Sequence, residues 1–310
     1  MSDTFNIRYL QQNEINKQKW DECIDRASNG LVYAYSYYLD AMSKNWDALV
    51  LNDYEAVMPL TWNKKYRIHY LYQPAFTASL GIFGNNLHQK LIEHFIKTIP
   101  KKFKLVEIAM NYGNVFIASS DFKTIRNNYI LDLNKDYTAL HSSYKENIKR
   151  NIKKAQQLSC TVKKNIPVED VINLSKPAMR QLTNVTEDDY KNFEKLYHLL
   201  HQQNKAITYG VYSPNKELVA SCVYFFSHNR AYYILVGNHP NSKALGASHF
   251  LIDSFIKDHS NQNMILDFEG SDIRNLAFFY SSFAATLETY PFLKINNLQK
   301  WVKWVKWMKK

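Results

Sequence analysis

Between residues 209 and 283 the chain reads as two apolar runs, a loop of small residues, a helical pattern and a third short apolar run. No other stretch constrains the fold as much. Residues 218–226 and 231–236 are split by Ser227-His228-Asn229-Arg230, which predicts two strands joined by a tight turn. Residues 237–248 supply the loop, the helical pattern runs to about His259, and residues 264–268 read as a strand. Residues 277–283 follow as an aromatic helix. Strand, small-residue loop, helix and strand together present the free N–H groups of a helix N-terminus to an anion. Lys243, Leu245, Gly246, Ala247 and Ser248 are therefore candidate anion-binding residues. An ordinary strand-to-helix connection containing a glycine is the plainer alternative.

The rest of the chain is read around this block. Residues 5–10 alternate as a strand, Asn13 is placed to cap a helix to about Ala27, and a short helix covers residues 37–44. Strands are predicted at 48–51, 55–62, 67–72, 105–110 and 129–133, with a helix at 87–99 that stops at Pro100. Residues 136–158 give the strongest helical pattern, and a strand at 161–165 and helices at 168–180 and 187–203 follow. Thr186 with Asp189 three residues on predicts a capping box for the last of these. The order of elements in the first half is like that in the second. This implies an α+β class built as a tandem: a unit at 1–135, a basic connecting helix at 136–158, a second unit at 159–298, and a basic tail at 299–310.

With 310 residues, 46% of them hydrophobic and 15% aromatic, the chain can fill a substantial core. Cys23, Cys160 and Cys222 are odd in number and far apart, so they read as buried thiols rather than a disulfide frame. The N-terminal residues lack the pattern of a secretory leader, and no apolar run approaches the roughly 20 residues that span a bilayer. A cytoplasmic location is expected. A net charge of +11 points to an anionic partner: a phosphate-bearing donor, nucleic acid or anionic lipid.

On helix 136–158, Leu140, Tyr144, Ile148, Ile152 and Ala155 form an apolar stripe, with Lys145, Lys149, Arg150, Lys153 and Lys154 opposite. Lys149, Arg150 and Lys153 are candidate anion contacts, against the alternative of a merely solvated face. Asp267 and Glu269, two apart on a predicted strand, would share a face, and either could deprotonate an attacking amine. Glu269, at the strand's C-terminal end, is preferred. His198 and His201 are three apart on a helix with no third ligand evident, so no metal site is expected. In the tail, Trp301, Trp304, Val305 and Met308 lie opposite Lys303, Lys306 and Lys310. This suits either a peripheral contact with an anionic membrane or packing on the tail's own domain.

The loop Lys243-Ala244-Leu245-Gly246-Ala247-Ser248 resembles the acyl-CoA pyrophosphate loop of the GNAT acyltransferases, with Lys243 in the basic position and Gly246 matching. Ala277 to Phe283 is similar to that family's later helix, whose tyrosine acts as general acid near the leaving thiol. The resemblance gives Tyr280 that role. Residues 140–155 look like the basic helix joining the two GNAT units of FemAB-like transferases, and residues 266–271 resemble a strand ending of the same group. The Phe-Lys pair of that group is missing; Phe279-Tyr280 stands nearest to it. The resemblance implies tandem GNAT-like domains, each a mixed, mostly antiparallel sheet flanked by helices. It also implies transfer of an acyl or aminoacyl group to an amine acceptor. Acyl-CoA or aminoacyl-tRNA would be the co-substrate, with no permanently bound cofactor. A catalytically silent tandem that binds an anionic partner is the competing class.

Overall fold

The computed structural model describes residues 5–114, 124–182, 185–270 and 272–298, so the tryptophan-bearing tail lies outside the described residues. The chain divides into two compact units, Met1–Arg126 with Thr289–Lys310, and Asn127–Glu288. Each is a mixed, mostly antiparallel sheet flanked by helices.

The first unit begins with β1 (Ile7–Leu10), α1 (Lys17–Arg26) and α2 (Ser36–Met42). An antiparallel run follows: β2 (Trp46–Leu51), β3 (Ala56–Lys65) and β4 (Ile68–Leu71). The two-residue β5 (Phe83–Gly84) pairs with β3, α3 (Gln89–Thr98) crosses over, and β6 (Phe103–Ala109) lies parallel to β4. The core includes Trp20, Trp46, Phe95 and Phe103, all fully buried. The cap expected at Asn13 is instead at Asn16, whose side chain accepts from the Lys19 N–H at 3.1 Å. The Tyr54 hydroxyl accepts from the Asn16 N–H and fixes the chain's entry one turn later than the sequence suggests.

The chain continues through β7 (Thr124–Asp132), α4 (Tyr137–Ser142), α5 (Glu146–Gln157), β8 (Thr161–Lys164), α6 (Val168–Leu182) and α7 (Glu187–Gln202). Then come β9 (Ala206–Tyr212), β10 (Leu218–Ser227), β11 (Arg230–Asn238), α8 (Ser242–Leu245), α9 (Ala247–His259), β12 (Ile265–Asp267), α10 (Arg274–Ser281) and β13 (Thr286–Asn296). In the second unit β8, β9, β10 and β11 are antiparallel, α9 crosses over, and β12 lies parallel to β11. This repeats the order from β1 to β6: strand, two helices, an antiparallel run, a crossover helix and a parallel strand.

The closing strands are exchanged. In the first unit β6 takes β13 as its antiparallel neighbour, from Leu105↔Asn296 to Ala109↔Phe292. In the second, β12 takes β7, from Ile265↔Asp132 to Asp267↔Ile130. The strand that follows β6 in sequence thus closes the second unit, and the strand that follows β12 closes the first.

The helix expected over 136–158 is two helices. Lys145 is extended, with ψ 150°, and its N–H donates to the carbonyl of Ser282 at 3.0 Å instead of continuing the helical ladder. Tyr144 is buried beside Phe283, with ring centroids 5.3 Å apart, so packing sets the break. The capping box at Thr186 forms as expected, with the Asp189 N–H donating to the Thr186 hydroxyl and the Thr186 N–H to the Asp189 carboxylate. The three cysteines are buried and unpaired in disulfide terms. No described helix is long and apolar enough to cross a membrane.

Candidate functional site

The segment 243–248 is one short helical turn, a left-handed glycine and the start of α9, rather than an open loop. Gly246 has φ +70°, and a Cβ there would stand 2.4 Å from the backbone oxygen of Asn151 on α5. Two requirements meet at this glycine, a positive φ and close approach to a neighbouring helix. Gly246→Ala is therefore expected to cost at least the roughly 1–2 kcal/mol of the left-handed conformation, with the carbonyl clash added. A chemical melt checks this; an unchanged midpoint would mean the turn rearranges freely.

Among the described residues no side chain caps α9, and its first ladder bond runs from the Phe250 N–H to the Gly246 carbonyl. The N–H groups of Ala247, Ser248 and His249 thus open the helix, where the backbone dipole favours an anion. The Ser248 hydroxyl is committed elsewhere, donating to Asn238 Oδ1 at 2.6 Å and lying 2.9 Å from the Ser242 hydroxyl, which pins the turn to the end of β11. Lys243 is exposed, Leu245 half-buried and Ala247 buried. The corresponding crossover helix of the first unit differs: His88 Nδ1 accepts from the Leu91 N–H at the start of α3, closing that N-terminus.

Helix α5 presents Asn147, Arg150, Asn151 and Lys154 along one stripe at spacings of three and four. The Asn151 backbone on that stripe approaches Gly246, and Arg150 and Lys154 flank it on α5. Lys153 is exposed on the other flank. Lys149 donates to the Ser142 carbonyl at 3.0 Å and to Glu146 at 3.1 Å, so its charge serves the α4–α5 junction. Sequence reasoning grouped Lys149, Arg150 and Lys153; the geometry separates them.

Asp267 and Glu269 do not share a strand face. β12 ends at Asp267, and Glu269 follows with φ +65° before Gly270 with φ +81°. Asp267 is buried, pairing with Arg230 at 2.6 Å and accepting from the Asn128 amide and the Glu269 N–H, each at 2.9 Å. Glu288 makes two further bonds to the same guanidinium, each 3.0 Å. This cluster of Arg230, Asp267, Glu288 and Asn128 is a structural ion network. Glu269 is half-buried and turned off the strand by its left-handed backbone, as are the turn residues His228 and Asn229.

Tyr280 is buried on α10, stacked on Phe268 at 4.7 Å. Burial raises its pKa, and the nearby charge of Glu269 adds to the rise, so the phenol keeps its proton at neutral pH. The next residue back, Phe279, meets the ring of His249 edge-on at 4.9 Å. The first turn of α9, α10 and Glu269 are thereby one neighbourhood. His249 was not among the sequence candidates; burial lowers its pKa to about 4, and its buried Nδ1 has no hydrogen-bond partner among the described residues.

No family model matches the sequence, and no curated protein does. Solved structures do. FemX superposes with a TM-score of 0.64 at 14% identity, over 92% of this chain and 97% of that one. The chain has the FemX fold. A conserved protein of unknown function from Bacteroides thetaiotaomicron gives a TM-score of 0.57 at 10% identity, over 94% of this chain and 99% of that one. L-PGS from Bacillus licheniformis gives 0.53 at 9% identity, over 91% and 92%. At such identities the FemX-like architecture is shared while the side chains at the site are this chain's own.

Proposed function

We propose that the chain is a transferase that moves an acyl or aminoacyl group from a phosphate-bearing donor to an amine. The observation that carries this reading is the unblocked N-terminus of α9 beside Glu269 and Tyr280. Backbone N–H groups of Ala247, Ser248 and His249 would hold the donor's phosphates, with Lys243, Arg150 and Lys154 supplying charge. The acceptor amine attacks the acyl carbonyl, and Glu269 takes the proton that the nitrogen sheds. As the bond to the leaving sulfur or oxygen breaks, the Tyr280 phenol donates its proton to that atom. Asp267, held by Arg230, stays outside the chemistry. The resemblance to GNAT loops favours a CoA thioester as donor.

A second reading, aminoacyl-tRNA as donor, is supported by the exposed Arg150, Lys153 and Lys154, which make no ion pair among the described residues. The two separate by titration with CoA, acetyl-CoA and mixed aminoacyl-tRNA at about 50 and 200 mM salt. With CoA as donor, Lys243→Gln combined with Arg150→Gln should weaken CoA binding about tenfold or more. With tRNA as donor, binding should fall steeply with salt and vanish when Arg150, Lys153 and Lys154 are neutralised. Binding of neither would overturn the transferase reading.

A further inference from the structure

Helices α6 and α7, neighbours in the second unit, bring together three side chains that the reaction does not use. Glu169 lies in the first turn of α6; Glu194 and His198 are one turn apart on α7 and share a face. One carboxylate oxygen from each glutamate and an imidazole nitrogen lie within 4.8 Å of one another. His198 Nε2 stands 3.7 Å from Glu169 Oε1. Of the other acidic residues on this helix pair, Glu187 pairs with Lys176 and Arg180, Asp188 pairs with Lys191, and Asp189 serves the Thr186 capping box. Glu169 and Glu194 pair with no lysine or arginine among the described residues, although the chain carries a net charge of +11.

We propose that Glu169, Glu194 and His198 form a divalent-cation site that clips α6 to α7. Two carboxylates this close repel each other. A divalent ion offsets both and uses the imidazole lone pair. Bonds of about 2.0–2.2 Å put donors roughly 3.3 Å apart around a tetrahedral ion, so His198 and Glu169 must draw in by about 0.4 Å and no pair by more than about 1.5 Å. Glu169 and His198 are exposed and Glu194 half-buried, so side-chain rotation alone supplies that movement. One imidazole with two carboxylates selects Zn²⁺ or Mn²⁺ over Mg²⁺ or Ca²⁺, with water completing the shell. The site holds two helices together and contains none of the residues placed at the donor site.

The test is calorimetric titration of the full chain, first stripped with chelator, with ZnCl₂, MnCl₂ and MgCl₂ in turn. The expected result is one Zn²⁺ per chain in the micromolar range and Mg²⁺ at least about a hundredfold weaker. Glu194→Gln and His198→Ala should each weaken Zn²⁺ about tenfold or more while leaving the metal-free melting temperature unchanged. At the same concentration zinc should raise the melting temperature of the wild type more than that of His198→Ala. Zinc binding of equal strength in both variants would place the ion on other histidines and overturn the proposal. So would the absence of zinc binding up to about 1 mM, or equal affinity for magnesium.

Discussion

Arg230→Met is expected to destabilise the second unit by about 3–5 kcal/mol, the cost of removing one partner from a buried ionic cluster. Arg230 and Asp267 are each nearly inaccessible, with side chains 6% and 7% exposed, and Glu288 is 16% exposed. The guanidinium bonds both carboxylates, and the Asn128 amide reaches both as well, at 2.9 and 3.3 Å. Methionine would fill similar volume and leave two carboxylates with only an amide between them. Arg230→Lys should recover less than half of the loss, because an ammonium cannot span both carboxylates as the planar fork does. The measurement is the denaturant midpoint of the second unit's transition, followed by tyrosine fluorescence. A loss below about 1 kcal/mol for the methionine variant would mean that water reaches the cluster.

Removing residues 285–310 is expected to unfold the first unit, although almost all of that unit lies at the other end of the chain. β6 would lose five register pairs with β13, from Leu105↔Asn296 to Ala109↔Phe292. It would also lose the fully buried Leu293 from its neighbour strand. Residues 1–135 alone should fail for the same reason, and residues 159–298 alone should fail because β12 lacks β7. Appending residues 286–298 to the 1–135 fragment should restore dispersed amide resonances. A folded 1–135 fragment without that addition would refute the strand exchange.

Local chemistry made much of this fold legible. The Thr186 box, the end of α9 at His259 and the β10–β11 hairpin around Ser227–Arg230 each depend on residues a few positions apart. What escaped depends on distant partners. β13 carries Pro291 in its middle, which argues against a strand until one sees that β6, far back in the chain, takes its register from it. Helix 136–158 has an unbroken apolar stripe, yet a carbonyl at Ser282 draws Lys145 out of the ladder.

The candidate site was legible to the same degree. The turn at 243–248 and its glycine could be found from composition, and the resemblance named Tyr280. Asp267 stood as a candidate beside the preferred Glu269 because nothing local reveals that Arg230, 37 residues earlier, and Glu288 enclose it. The preference for Glu269 came from its place at the strand end, whereas its positive φ is a property of the folded chain. His249 carries no motif. Its interest comes from the Phe279 ring against it and from a buried imidazole nitrogen without a partner among the described residues.

The most direct test of the donor site is a crystal structure with whichever donor binds tightest in the titrations. The expected result is a phosphate at hydrogen-bond distance, about 2.7–3.2 Å, from the N–H groups of Ala247, Ser248 or His249, with the reactive carbonyl toward Glu269 and Tyr280. A phosphate seated elsewhere, such as at α3 after displacing His88, would contradict the assignment of α9 as the donor site.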